Sequence, residues 1–165
     1  MEGDPISQVR ESILIDAPVA VVWGLVTDVR RHPEFAGPKS ITKAIEFDGQ
    51  LEVGHRWLAH EKFGPQKFDA PSEITKVETE REFGWVSFPP AKRESDRGRG
   101  GRVMWSYVLT PEEGKSRLDH SMDVLEPKKG AVPLKLLYTV LRLPAKQRRG
   151  VRTTLANIKA AAEQP

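Results

Sequence analysis

Apolar and polar side chains alternate along residues 9–15. Val9, Ile13 and Ile15 fall on one face, and Arg10, Ser12 and Leu14 on the other, the period-two pattern of a half-buried strand. Glu11 is the exception, because it stands on the apolar face. Asp16-Ala17-Pro18 ends the strand and opens a helix; proline suits a first turn, where its missing N–H would have no partner anyway. Asp16 or Ala17 is the expected cap, and Asp16 suits the positive end of the helix dipole. Val19, Val22, Trp23 and Val26 then recur at i, i+3, i+4 and i+7, a single apolar stripe. A second short helix is expected over 30–36, stopped by Gly37-Pro38.

The period then returns to two. Strands are predicted over 40–48, 54–63, 70–79, 82–88, 102–110 and 116–125. Asp48-Gly49, Phe63-Gly64-Pro65, Pro89-Pro90 and Pro111-Glu112-Glu113-Gly114 punctuate them. An Arg/Gly-rich polar loop fills 91–101. Helical spacing resumes with Leu134, Leu137 and Leu141, then Val151, Leu155, Ile158 and Ala162. Pro144 and Gly150 interrupt it, so a kinked helix, or two helices over 131–143 and 145–163, is expected. The element order is therefore β-α-α-β6-α. It describes an α+β chain with an antiparallel sheet of about seven strands curved around a long C-terminal helix, which covers the apolar face. Residues 1–165 read as a single domain.

Composition narrows the class. Hydrophobic residues make up 38% of the 165, charged residues 30%, and mean hydropathy is −0.48. That mixture belongs to a globular chain, not a disordered one. With no cysteine, disulfides, thiolate chemistry and cysteine-ligated zinc are excluded. Met1-Glu2-Gly3-Asp4-Pro5 lacks the basic and apolar regions of a signal peptide. The longest apolar stretch, 131–144, is broken by Lys135 and Arg142 and falls short of the ~20 residues that span a bilayer. A cytoplasmic location is expected. The net charge of +3 is unevenly spread: 92–102 carries +3 and 142–152 carries +5, leaving −5 elsewhere. Two local segments, not a uniformly basic surface, set the basic balance.

Two stretches resemble a known family. One is Ile13-Leu14-Ile15-Asp16-Ala17-Pro18 leading to Val22-Trp23 and Val26-Thr27-Asp28. The other is Thr154-Leu155-Ala156-Asn157-Ile158-Lys159 running to Ala162-Glu163. Together they are similar to the opening and closing segments of the SRPBCC superfamily, the START-like, birch-pollen-allergen-like helix-grip fold. The resemblance spans nearly the whole chain. It implies a cavity between sheet and final helix. Members bind lipids, sterols, plant hormones or polyketides. Some are polyketide cyclases or aromatases, and others are iron-containing domains of ring-hydroxylating oxygenases. The shared motifs are packing and capping signals, so function has to be argued from the site.

Strand parity names the candidates. Val103, Trp105, Tyr107 and Leu109 share a face, as do Leu118, His120, Met122 and Val124 opposite Arg117, Asp119, Ser121 and Asp123. Trp57, Ala59 and Phe63 share another, with Glu61 between them, and Phe83, Trp85 and Ser87 a fourth. The expected ligand-binding set is Trp57, Phe63, Trp85, Trp105, Tyr107, His120 and Met122, joined by Leu137 and Leu141 from the helical region. Apolar walls with sparse polar points, here His120, Tyr107, Ser87 and Glu61, suit a small-molecule pocket. The same aromatic residues would also serve as ordinary core. His120 is the candidate acid–base residue.

No metal or cofactor is expected. His55 and His60 point to opposite faces, and His32, His55, His60 and His120 form no two-histidine, one-carboxylate set. That departs from the oxygenase branch. No G-x-S-x-G, H-E-x-x-H or P-loop motif is present. Three readings follow. The first is a non-enzymatic carrier of a small hydrophobic ligand such as a lipid, sterol or polyketide-like molecule. The second is a metal-free cyclase/dehydratase using His120 or Glu61. The third is a peripheral module that meets an anionic membrane through Arg148, Arg149 and Arg152. Nucleic acid is not expected, because the aromatics point inward and leave no stacking platform among the cations.

Overall fold

The alternating segments pair into one seven-stranded antiparallel sheet in the computed structural model, which describes residues 5–88, 101–125 and 143–165. The strands are β1 (Pro5–Ile15), β2 (Thr42–Glu46), β3 (Arg56–Phe63), β4 (Gln66–Glu78), β5 (Glu82–Ser87), β6 (Arg102–Glu112) and β7 (Lys115–Leu125). Their order across the sheet is β1-β7-β6-β5-β4-β3-β2. Consecutive strands from β2 to β7 are neighbours, so hairpins build the sheet and β1 closes it against β7. Helix α1 (Val19–Thr27), a 3-10 turn (Val29–Arg31) and α2 (His32–Ala36) carry the chain from one edge strand to the other. Helix α3 (Leu143–Ala162) ends the fold. The order is the expected one, and the chain has the helix-grip architecture.

Local chemistry explains most boundaries. The β6–β7 hairpin closes through Glu113 and Gly114, both with positive φ (49° and 83°), the two-residue geometry whose twist matches the flanking strands. The expected stop at Pro111 therefore does not occur. Pro111 pairs with Ser116 at the end of the ladder, where a missing N–H costs least. Register shifts between Thr42 and Ala44 and between Ile74 and Lys76 bend β2 and β4. The expected cap of α1 is also corrected. Pro18 is the N-cap and no side chain caps the helix, while the Asp16 N–H donates to Glu163 Oε1 (2.7 Å).

Burial follows strand parity. Val9, Ile15, Leu118, Leu109, Phe83, Ile74 and Trp57 all belong to the buried core on the sheet's inner face. Helix α3 lies over that face, running alongside β1, and buries Val151, Thr154, Leu155, Ile158 and Ala162. Polar contacts pin it at intervals. Ser7 Oγ donates to Gln147 Oε1 (2.7 Å), Lys159 Nζ donates to the Leu14 carbonyl (2.7 Å), and Asn157 Nδ2 donates to the Phe35 carbonyl of α2 (2.7 Å). The expected break at Gly150 is not there: α3 continues through it. A helical glycine costs only about 1 kcal/mol relative to alanine, less than the burial of the residues that follow. The segment expected as a separate helix over 131–143, with Leu137 and Leu141, lies almost wholly outside the described residues, as does the basic loop up to Gly100.

The apolar stripe of α3 should dominate its docking. Ile158 is fully buried, so Ile158→Ala should lower unfolding free energy by about 2–5 kcal/mol through lost burial and the cavity left behind. Exposed Lys146→Ala on the same helix should change it by less than about 0.5 kcal/mol. Urea denaturation of both variants checks the contrast.

Candidate functional site

Antiparallel pairing sets the inner-face side chains in rows that cross the sheet. One row runs Val9, Met122, Trp105, Trp85 and Ile74. The next runs Glu11, His120, Tyr107, Phe83 and Val77. Directly opposed side chains in such rows stand about 5 Å apart and must pack. The two rows therefore concentrate aromatic rings near the sheet's centre.

Trp85 is the hub. Its ring centroid lies 5.4 Å from Tyr107, 5.5 Å from Phe83, 5.9 Å from Trp105, 6.0 Å from Trp57 and 6.4 Å from His120. The planes of Trp85 and Trp105 are within 7° of parallel. His120 stacks on Tyr107 at 4.3 Å and on Trp105 at 5.8 Å. A second histidine enters from above: His32, at the start of α2, sits 5.1 Å from Trp85 and 5.8 Å from Tyr107. In the sequence His32 is only one of four histidines that form no metal-binding set, and nothing there places it in this cluster. Its one local signal was its position beside Pro33 at a helix start.

Both histidines have assigned protons. His120 Nδ1 donates to the Ser106 carbonyl (2.9 Å) and His32 Nε2 donates to the Val26 carbonyl (2.7 Å). A carbonyl can only accept, so the neutral rings keep His120 Nε2 and His32 Nδ1 as lone-pair acceptors. Burial pushes each imidazole down from 6.5 to about 4, against the weaker pull of the carbonyl bond. Burial likewise pushes the Tyr107 phenol upward. Around pH 7 the centre of the face thus carries rings, two hydrogen-bond acceptors and a phenol, and no formal charge. Trp105 adds a donor: its Nε1–H is buried and has no hydrogen-bond partner among the described residues, although the ring as a whole is partly exposed. An unpaired buried donor costs about 1–3 kcal/mol, so one in a native structure calls for an explanation.

Not every expected residue joins this cluster. Trp57, Trp85, Tyr107 and His120 are buried in it, and Trp105 and Met122 are partly exposed at its β6–β7 side. Phe63 does not join. It shares the inner parity of β3 but stands at the strand's last position, 68% exposed. Ser87 is engaged by Ser72 (Oγ–Oγ 2.9 Å). Glu61 bonds Thr42 Oγ1 (3.2 Å), and burial raises its carboxyl above the usual range. Glu61 and His120 lie on β3 and β7, four strand spacings or roughly 19 Å apart, so they cannot act as one acid–base pair. Leu137 and Leu141 lie outside the described residues.

Among the described residues, the centre of this face holds rings in mutual contact. Two open depressions lie beside the β2 edge. One, of about 660 Å3, is lined by Lys43, His60, Glu61, Lys67, Phe68 and Asp69 among others. A neighbouring one, of about 360 Å3, sits between α2 and β2. Both have charged rims and neither reaches the ring cluster. The described residues hold no cluster of three or more histidine and carboxylate side chains able to bind a metal ion. None of their helices is long and apolar enough to cross a membrane.

The basic patch of α3 divides. Arg148 Nη1 and Arg152 Nε contact the two oxygens of Glu11 at 2.5 Å and 3.1 Å, while Arg149 is exposed. Glu11, the misfit of the first strand's apolar face, is thus the counter-ion for two arginines one helical turn apart.

No protein-family model matches the chain, and no curated protein matches it. Solved structures do. A hypothetical protein from Helicobacter pylori aligns with TM-score 0.71 and 15% identity, over 96% of this chain and 89% of its own. An aromatase/cyclase, Zhui, from a Streptomyces species aligns with TM-score 0.66 and 15% identity, over 94% and 93%. A Polyketide_cyc-like protein from Corynebacterium glutamicum aligns with TM-score 0.57 and 19% identity, over 98% and 91%. These likenesses show the fold: the chain has the helix-grip architecture.

The buried histidines predict a pH dependence. Each has its pKa near 4 in the folded chain, against 6.5 without burial. The unfolded chain therefore binds more protons between these values, and stability present above pH 6.5 is lost as pH falls toward 4. From pH 7 to pH 5 the loss should be on the order of 1–2 kcal/mol per histidine. Urea unfolding at the two pH values checks it, and His120→Gln should remove about half of the drop.

Proposed function

We propose that this helix-grip domain binds a small, planar, largely apolar ligand on the Trp105–Met122 side of its aromatic inner face. Trp105 carries the reading. Its ring is partly exposed, and its buried N–H has no acceptor among the described residues, beside the His120 ring whose Nε2 is an acceptor. A ligand stacking on Trp105 would gain apolar contact, satisfy that N–H, and take its orientation from His120 and Tyr107. The aromatase/cyclase among the structural neighbours supports this choice of ligand shape over a flexible fatty chain. Burial of about 150 Å2 of apolar ligand surface at roughly 25 cal/mol/Å2 is worth near 4 kcal/mol before ordering costs. One satisfied hydrogen bond then decides between weak and useful binding.

A second reading rests on the same two neutral imidazoles. A lone pair on His120 Nε2 inside an apolar face can remove a proton from a ligand, as a dehydratase requires. Turnover of a β-hydroxy ketone lost in His120→Ala, with its affinity kept, would favour that reading over carriage alone.

Thermal shift and quenching of tryptophan emission, read across fatty acids, sterols and polycyclic aromatics, test the proposal. Polycyclic aromatics with a carbonyl should raise the melting temperature. Trp105→Phe, which keeps a ring and removes the N–H, should weaken them roughly tenfold. A panel in which no planar compound shifts the melting temperature would sink the reading.

A further inference from the structure

We infer that the ligand ends in a carboxylate, and that Arg148 and Arg152 of α3 are its seat. The inference rests on the reading just given and adds the ligand's charge.

The observations converge on one corner of the inner face. Glu11 opposes His120 directly across the β1–β7 ladder, and His120 opposes Tyr107 across β7–β6. The Glu11–arginine group therefore adjoins the aromatic cluster instead of standing apart on the surface. Its charge is unbalanced. Among the described residues, two guanidiniums share one carboxylate, leaving one net positive charge. Glu11 is the sole acidic residue among the described inward-facing positions of β1 and β7. The donors are unbalanced too. Each guanidinium offers five N–H groups in a planar fork that matches a carboxylate. The contacts to Glu11 run through Nη1 of Arg148 and Nε of Arg152. Both side chains stay reachable, at 47% and 64% exposure, while the Glu11 side chain is only 16% exposed. A second carboxylate can join the pair from the solvent side.

The helix around these arginines is built to let this happen. From Val151 onward α3 is held by apolar burial. Its first turns make polar contacts, Ser7 with Gln147 and Glu11 with Arg148, and Arg152 in the next turn also reaches Glu11. Such contacts exchange with a ligand's oxygens at little net cost, whereas buried leucines would not. The spacing sets a length. Trp105 is in register with Val9, so Glu11 lies two strand spacings across and two residues along from it, about 12 Å away. A ring stacked on Trp105 would therefore reach the arginines through a short chain of three or four carbons.

The test compares 4-(1-naphthyl)butanoic acid with 4-(1-naphthyl)butan-1-ol, which share ring and chain and differ in the end group. Affinities come from tryptophan-emission titration of the full chain at pH 7.5 in low salt. The wild-type protein should bind the acid at least tenfold tighter than the alcohol, because charge-assisted, forked hydrogen bonds form only with the acid. The R148Q/R152Q double variant should lose that preference and keep the alcohol's affinity. E11Q, which removes the resident anion, should bind the acid severalfold tighter. Equal binding of acid and alcohol by the wild type would overturn the inference and leave the aromatic-ligand reading standing. So would a preference that survives in R148Q/R152Q. Failure to bind either compound would overturn both. A last arm uses vesicles of phosphatidylserine and phosphatidylcholine. Arginine-dependent sedimentation with those vesicles, alongside equal affinities for acid and alcohol, would assign the arginines to a membrane surface and overturn the inference.

Discussion

The inner face of the sheet cannot stay wet, and α3 is what covers it along β1. Val151, Leu155, Ile158 and Ala162 all lie on that contact, each nearly or fully buried. A buried Leu, Ile or Val side chain contributes about 1.5–3 kcal/mol. The contact joins the first strand to the last helix, so it closes nearly the whole chain on itself. Ser7, Leu14 and Asp16 of the β1 region bond Gln147, Lys159 and Glu163 in the same order along the helix. Those bonds set the direction in which α3 lies, while the apolar stripe supplies the driving force. The helices near the chain's start pack beside α3, with Asn157 tying α3 to α2.

That enclosure dictates the chemistry beneath it. A histidine shut among Trp85, Trp105 and Tyr107 has no water to support a charge, so it is held neutral. His32 meets the same condition from the opposite wall. Each ring spends one nitrogen on a backbone carbonyl and keeps the other. The face is thus apolar but not inert. It offers acceptors from the histidines and a donor from Trp105, and formal charge enters at its two margins. At the β1 margin two arginines surround Glu11. At the far margin Glu61 is a partly desolvated carboxyl bonded to Thr42. The margins are too distant to share one small substrate, and His120 lies beside the cationic one.

Much of this was legible in the chain. The inward parity of Leu118, His120, Met122 and Val124 followed from simple alternation, and so did that of Trp105 and Tyr107. The Ala17-Pro18 helix start and the stripe ending at Ala162 were equally local signals. Errors came where a local signal was weaker than its surroundings. Gly150 reads as a helix breaker, yet packing on either side carries the helix through it. Pro111 reads as a strand end, yet the Glu113-Gly114 turn lies beyond it and the ladder continues. Phe63 has the right parity and the wrong depth, because parity says which face a side chain takes and not whether anything covers it.

The sequence by itself determined the elements, their order and the face on which each side chain stands. Those properties follow from backbone periods that act within a few residues. Only the tertiary structure decided which polar groups meet. Glu11 looked like a flaw in a strand until Arg148, 137 residues away, came to rest on it. His32 looked unremarkable until α2 set its ring over Trp85. Such pairings have no short-range cause. They arise because closing α3 over β1 brings distant segments into a space without water, where each buried polar group has to find a partner or keep a place for one.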